Sequence, residues 1–188
     1  MSSLLEMTDV PMTNILEKCG YKSLLTLRKV SKTLKKICIR PTNNRDPIKN
    51  LDEIENVMEL EQFKNAVVLN ISYYFLVRAD LSKFFHFQRV HVKLNETSLE
   101  ELVALKEAFV TSTHMVYFNL NGLNLNGNQL EQLFGTPFYD PCYGEGKQWF
   151  FKIQNCKEFM LRIYWYSGWL KFRKLQSEEV PQDAVVQH

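Results

Sequence analysis

The residues best suited to chemistry are few and scattered. Tyr143-Gly-Glu-Gly-Lys147 has the glycines and the lysine of a phosphate-binding loop. Such a loop needs G-x-x-x-x-G-K-[ST], so that backbone N–H groups cradle the phosphates and a hydroxyl reaches the metal. Here Gln148 follows the lysine and Pro141 stands where the first glycine is required. The segment reads as a loop ahead of a strand. His86, His91 and His114 lack metal-ligand spacing and read as strand or packing histidines. Cys19, Cys38, Cys142 and Cys156 form no C-x-x-C pair and have no histidine at ligand distance. They are expected as free thiols, mostly buried, in a reducing compartment. No Ser-His-Asp or Cys-His arrangement emerges. The expectation is a protein that is not an enzyme, with no catalytic residue, no metal and no cofactor.

What remains is surface that could bind. Trp149, Phe151, Tyr164, Tyr166, Trp169 and Phe172 crowd the C-terminal part. Most of these rings are expected in a core. Tyr164, Tyr166 and Trp169 are the candidates for a target-binding patch, since exposed aromatic clusters anchor protein interfaces. Lys18, Lys22, Arg28, Lys29, Lys32, Lys35, Lys36 and Arg40 fall in one stretch without an acid. Tyr21 is its only ring, so it lacks the stacking platform of a single-strand binder. A solvated helix face is the expected reading, and the sequence argues against a nucleic-acid partner. The net charge of +2 points to no partner class by itself.

These residues need elements to hold them. Residues 8 to 40 read as three short helices. Thr8 caps the first, with Asp9 in its first turn and Pro11 early enough to be tolerated. Met12, Ile15, Leu16 and Cys19 follow one helical face, and Gly20 closes it. Ser23 caps a second helix bearing Leu24, Leu25 and Leu27. Val30, Leu34, Ile37 and Cys38 line a third. Pro41, Asn43, Asn44, Asp46 and Pro47 signal a linker. A bundle near 40 residues does not sustain itself, and this one has more leucines than it can hide. It is expected to pack either on the rest of the chain or on a partner.

Beyond the linker, helix and strand patterns alternate. Asn50 and Glu53 have capping-box spacing for a helix over 51–64, with Leu51, Ile54, Val57 and Met58 on one face. Strands are expected at Ala66–Ile71, Phe87–Leu94 and Met115–Leu120, and a short helix or turn at Asp80–Phe85. Ser98 and Glu101 form a second capping box for a helix to Thr111, with Leu102, Leu105 and Phe109 as its stripe. Asn126-Gly127 reads as a turn before a short helix from Gln129 to Phe134, closed by Gly135. Strand centres near Val68, Val92 and Val116 recur every 20–30 residues, a repeat-like β-α pattern. Gln148–Ile153, Phe159–Trp165 and Trp169–Arg173 are close-set and read as an antiparallel meander. Trp149, Phe151 and Ile153 should share one face there, with Phe150 and Lys152 on the other. The polar tail from Gln176 to His188 is expected to be disordered.

Hydrophobic residues are 45% of the 188, enough for a real core. No apolar run approaches the ~18 residues that cross a bilayer. The opening residues have neither a basic region nor a continuous apolar stretch of secretory type. No membrane partner is expected, and the location expected is cytoplasmic or nuclear.

Two sets of residues resemble a known family. Met7-Thr-Asp-Val-Pro-Met, Ile15-Leu-Glu-Lys and Ser23-Leu-Leu-Thr-Leu-Arg-Lys-Val30 with Leu34 resemble an F-box in order and spacing. Leu24 to Leu34 is the most specific part. Thr8 stands where that family has Pro. Leu60–Ala66, Phe85-His86-Phe87, Glu100–Phe109 and Lys147–Lys152 resemble the later half of an FTH domain. Together they resemble the nematode-type F-box proteins with a C-terminal FTH domain, in shortened form. The resemblance implies an α+β chain: a three-helix F-box at 1–41, a linker at 42–50, an FTH-like α/β domain at 51–175 of repeat-like β-α units ending in an antiparallel meander, and the tail at 176–188. It implies a substrate-recognition adaptor of a Skp–cullin–F-box ubiquitin ligase. The F-box would bind a Skp-type adaptor, and through it a cullin, by way of Met7, Thr8, Val10, Ile15, Leu16, Leu24, Leu25 and Leu27. The C-terminal domain would bind an unidentified protein target. The alternatives are a protein-binding module that no longer engages the ligase, and a small nucleic-acid binder using the basic helices.

Overall fold

The computed structural model describes residues 36–39, 49–51, 57–73, 75–140 and 146–187. The three-helix module expected over 1–41 lies outside them, save its last residues. There the reading is corrected: Lys36–Ile39 is a strand, β1. Ile37 and Ile39 are buried, and their branched Cβ atoms suit a pleat at least as well as a helix. A second correction follows at once. Lys49–Leu51 is β2, so Asn50 lies in a strand. The first described helical residues after it are Val57 and Met58, followed by the single turn α1, Glu61–Lys64.

The chain continues through β3 (Val68–Ile71), β4 (Phe75–Val77), a 3-10 turn (Leu81–Phe84), β5 (Arg89–Lys93), α2 (Leu99–Thr111), β6 (Tyr117–Asn121) and α3 (Gly127–Phe134). Then come β7 (Phe138–Tyr139), β8 (Lys147–Ile153), β9 (Cys156–Tyr166), β10 (Trp169–Gln176), a second 3-10 turn (Ser177–Glu179) and β11 (Val186–Gln187). The described residues are mixed α/β and mostly strand.

Both expected features of the sheet are present. β1, β3, β5 and β6 lie side by side and parallel, with Val68, Arg89 and Tyr117 in direct register. This is the repeat-like half. β2 pairs parallel with β4 in a small second sheet, and Val77 at the end of β4 bridges Leu94 just past β5. The meander β8-β9-β10 forms the other half. It folds back so that its last strand, β10, pairs antiparallel with β6. The main sheet therefore runs β1-β3-β5-β6-β10-β9-β8-β11, with β7 also on β8.

The helices cover one face. α2 is held by the expected capping box: the Ser98 hydroxyl accepts from the Glu101 N–H at 3.1 Å, and the Glu101 carboxylate accepts from the Ser98 N–H at 2.8 Å. Its buried stripe is Leu102, Leu105 and Phe109, as expected. Phe109 meets Phe118 edge-on at 5.3 Å and stacks on Phe172 at 5.7 Å. α3 begins earlier than expected, because Asn126 is its N-cap and Gln129 completes a capping box. Its Phe134 packs against Trp149, Phe151 and Phe172. As the alternation predicts, Trp149, Phe151 and Ile153 join this cluster and Phe150 does not. The tail is the last correction. Residues 177–187 are ordered on the fold, and β11 pairs parallel with β8 at Phe150 and Phe151.

Candidate target-binding face

Among the described residues, the three α-helices send their buried side chains to one side of the sheet. Among the described residues, no α-helix sends its buried side chains to the opposite side across β5, β6, β10 and β9. Strand alternation decides what it shows. From β5 come Arg89, His91 and Lys93; from β6, Tyr117, Asn119 and Asn121; from β10, Trp169, Lys171 and Arg173; from β9, Arg162, Tyr164 and Tyr166.

The register arranges these in rows across the strands. One row runs His91, Asn119, Lys171, Tyr164 and Gln148. The next runs Arg89, Tyr117, Arg173 and Arg162. A third carries Lys93, Asn121, Trp169 and Tyr166. Tyr164, Tyr166 and Trp169 are thus brought onto one face. Tyr166 is 50% exposed and faces Trp169 across the hairpin. The hairpin is a two-residue turn with positive φ at Ser167 and Gly168, the form whose twist matches that of the strands.

Contacts within the face are specific. Lys171 Nζ lies over the Tyr164 ring at 5.8 Å, a cation–π contact. The Tyr164 ring is seated against Gly146, where an added Cβ would approach the ring to 2.5 Å. The Asn119 amide donates to His91 Nδ1 at 2.8 Å, which places the imidazole proton on Nε2. The His91 ring lies 6.3 Å from that of Trp169. Burial, and then the nearby Lys171 charge, hold the His91 imidazole below its ordinary pKa. Asn119 Oδ1 is buried and meets no hydrogen-bond partner among the described residues. Burial pushes the Tyr117 phenol above its ordinary pKa, while Arg173, Arg162 and Arg89 pull it back down. Rings, amides and cations of this kind can bind.

The other singled-out residues serve the fold. Lys147, the lysine of the phosphate-loop-like segment, pairs with Glu131 and lies over the Trp165 ring at 5.9 Å. His86 Nε2 bonds the Phe63 carbonyl at 3.1 Å, and His114 Nε2 bonds the Phe85 carbonyl at 3.0 Å. Among the described residues, no group of three or more His, Cys, Asp or Glu side chains comes together as metal ligands would. The expected adaptor contacts, Met7, Thr8, Val10, Ile15, Leu16, Leu24, Leu25 and Leu27, lie outside the described residues.

The FTH domain family matches residues 13–138. This chain belongs to the FTH domain family. The match opens inside the stretch that resembles an F-box and closes at Phe138, ahead of the meander. The parallel half of the sheet is therefore FTH domain, while β8, β9 and β10 lie beyond the matched residues. The open face of this FTH protein is built jointly by both. No curated protein and no solved structure gives a significant match. FTH domains are often found in F-box proteins, and membership suggests a protein-interaction role.

Sequence reading missed most of the face. Local sequence reads His91 as a strand or packing histidine and does not single out Arg89, Tyr117, Asn119, Arg162, Lys171 or Arg173. The signal was present in the outward alternates of each strand. What local sequence lacked was the order of the strands, which sets β10 against β6.

Proposed function

We propose that this protein is a substrate-recognition adaptor of a Skp–cullin–F-box ubiquitin ligase. Its N-terminal residues would engage a Skp-type adaptor and, through it, a cullin. Its FTH domain and meander would hold a protein target on the open sheet face. The observation that carries the reading is the open aromatic and cationic face, to which no α-helix among the described residues sends its buried side chains. Rings beside charged groups on a rigid sheet are the composition of a protein-binding hot spot. The FTH assignment and the F-box resemblance of Met7–Leu34 supply the ligase side.

Such a protein does no bond chemistry of its own. It raises the effective concentration of a target beside a ubiquitin-charged enzyme. The proposal locates it in the cytoplasm or nucleus, where that machinery works.

The test is a calorimetric titration of the full chain against a purified Skp-type adaptor. One-to-one binding is expected, lost on Ile15→Asp, which places a charge in the apolar contact face. Absence of binding by the unaltered chain would leave a protein-binding module outside the ligase.

A further inference from the structure

We propose that the open face takes an acidic segment of a protein target, its carboxylates held along the row Arg89–Tyr117–Arg173. This deepens the target-binding reading and rests on it.

The first argument is charge complementarity. Arg89, Lys93, Arg162, Lys171 and Arg173 all stand at outward positions of β5, β9 and β10. No Asp or Glu occupies an outward position of β5, β6 or β10, and β9 has only Glu158 at its far end. Among the described residues Glu179 approaches too: its Oε1 lies 3.9 Å from Arg173 Nη2, with the two side chains about half exposed. That long contact is weak and readily exchanged for a bidentate one. Arg162 is already engaged within the fold, so its part is to add positive field rather than a free fork.

The second argument is shape. The row opens into a cleft of about 340 Å³ lined by Arg89, Val116, Tyr117, Arg173 and Lys174. Lys174, one of its lining residues, donates to the Ser112 carbonyl. Arg89 and Arg173 flank Tyr117 on adjacent strands, and strands lie about 4.8 Å apart. The Cα atoms that carry the two guanidinium forks thus stand about 10 Å apart, two strand spacings, with Tyr117 on the strand between them. An extended peptide repeats its side chains on one face about every 7 Å, so acids at alternate positions come within reach of both forks. Trp169 and Tyr166, two same-face rows away, offer apolar anchorage to a flanking residue.

The test uses a fluorescein-labelled peptide of about ten residues with alternating Glu and Leu, and the full chain, read by anisotropy at low and physiological salt. The unaltered protein is expected to bind it, more weakly as salt rises. Arg89→Glu with Arg173→Glu should weaken binding at least about tenfold, since each loses a charge-assisted pair. Lys64→Glu with Lys83→Glu, an equal charge change away from the face, should leave affinity within about twofold. Arg89→Gln with Arg173→Gln serves if the reversal does not fold. No binding by the unaltered protein, or equal loss in both double variants, overturns the proposal. So does tighter binding of a single-stranded oligonucleotide of matching charge that is lost in the same variants, which would mark a nucleic-acid face. The same variants are titrated with the Skp-type adaptor. Retained adaptor binding alongside a failed peptide titration overturns this inference alone and leaves the ligase reading standing.

Discussion

His91 shows how one residue's setting becomes a property of the protein. It is half-buried between Trp169, Asn119 and Lys171, and its folded pKa is held below the ordinary value by burial and then by Lys171. The unfolded chain, with a histidine pKa near 6.5, therefore takes up a proton more readily than the folded one. The stabilising contribution of neutral His91 is complete above that value. It is lost as pH falls below about 6.5, until the folded pKa is passed. Protonation also breaks the bond from the Asn119 amide to Nδ1, because a charged imidazole has no acceptor. His91→Gln should flatten the loss of stability between about pH 7 and pH 5, measured by urea unfolding at each pH. An unchanged loss in the variant would assign the acid sensitivity to other groups. Sequence could place His91 on a strand and no more. Its partners come from β6 and β10, distant in the chain, and only the fold supplies them.

At the scale of elements, the best-read feature is the start of α2. The spacing of Ser98 and Glu101 states a capping box, and the hydrogen bonds are present. What the spacing does not state is that Glu101 has a second task. Its other oxygen accepts from the backbone N–H of Leu81 at 2.9 Å, tying the 3-10 turn to the helix. Glu101 thus satisfies two backbone donors, and Ser98 one. Ser98→Ala should cost about 1 kcal/mol, the usual value of an N-cap. Glu101→Ala should cost more, about 2–3 kcal/mol, because a part-buried donor at Leu81 loses its partner as well. Equal costs would mean that water replaces the Leu81 bond freely. The misread elements have a common cause. Ile37 and Cys38 fit a helical stripe with Val30 and Leu34, but Ile37 and Ile39 also fit a strand, and pairing with β3 decides between them. Asn50 and Glu53 have the same spacing as Ser98 and Glu101, yet Asn50 pairs with Leu76 in β2 and β4. A cap motif reports what a helix needs at its start, and a sheet partner far along the chain can override it.

At the scale of the whole molecule, a mixed sheet must protect its edges. β8 is the strand with most to hide, since Trp149, Phe150 and Phe151 stand consecutively on it and are buried. One side of β8 pairs with β9. The other side is closed in two pieces: β7 pairs with Lys147 and Gln148, and β11 with Phe150 and Phe151. The tail therefore completes the sheet, although its composition of Glu178, Glu179, Pro181 and Gln182 reads as a disordered end. Its polarity misleads because only a two-residue strand and a few side chains dock. Gln187 lies against Gly135, whose carbonyl accepts from the Trp149 indole at 2.8 Å. Ser177 bonds the Lys157 carbonyl at 2.6 Å, and Glu179 accepts from the Gln176 N–H at 2.8 Å. Ending the chain after Gln176 removes these few bonds and uncovers the backbone of β8 at its aromatic centre. With each bond contributing about 1 kcal/mol net, the loss should be about 2–3 kcal/mol. That corresponds to a fall in Tm of about 4–12 °C for a chain of this size. The exposed edge should also pair between molecules, so the truncated protein should aggregate on heating in a concentration-dependent way. Adding a charge at the uncovered edge, as in Phe150→Lys, would not restore stability, because Phe150 is buried. An unshifted Tm with no aggregation would show that β11 rests on β8 without protecting it, and would leave β7 as the edge's sole cover among the described residues.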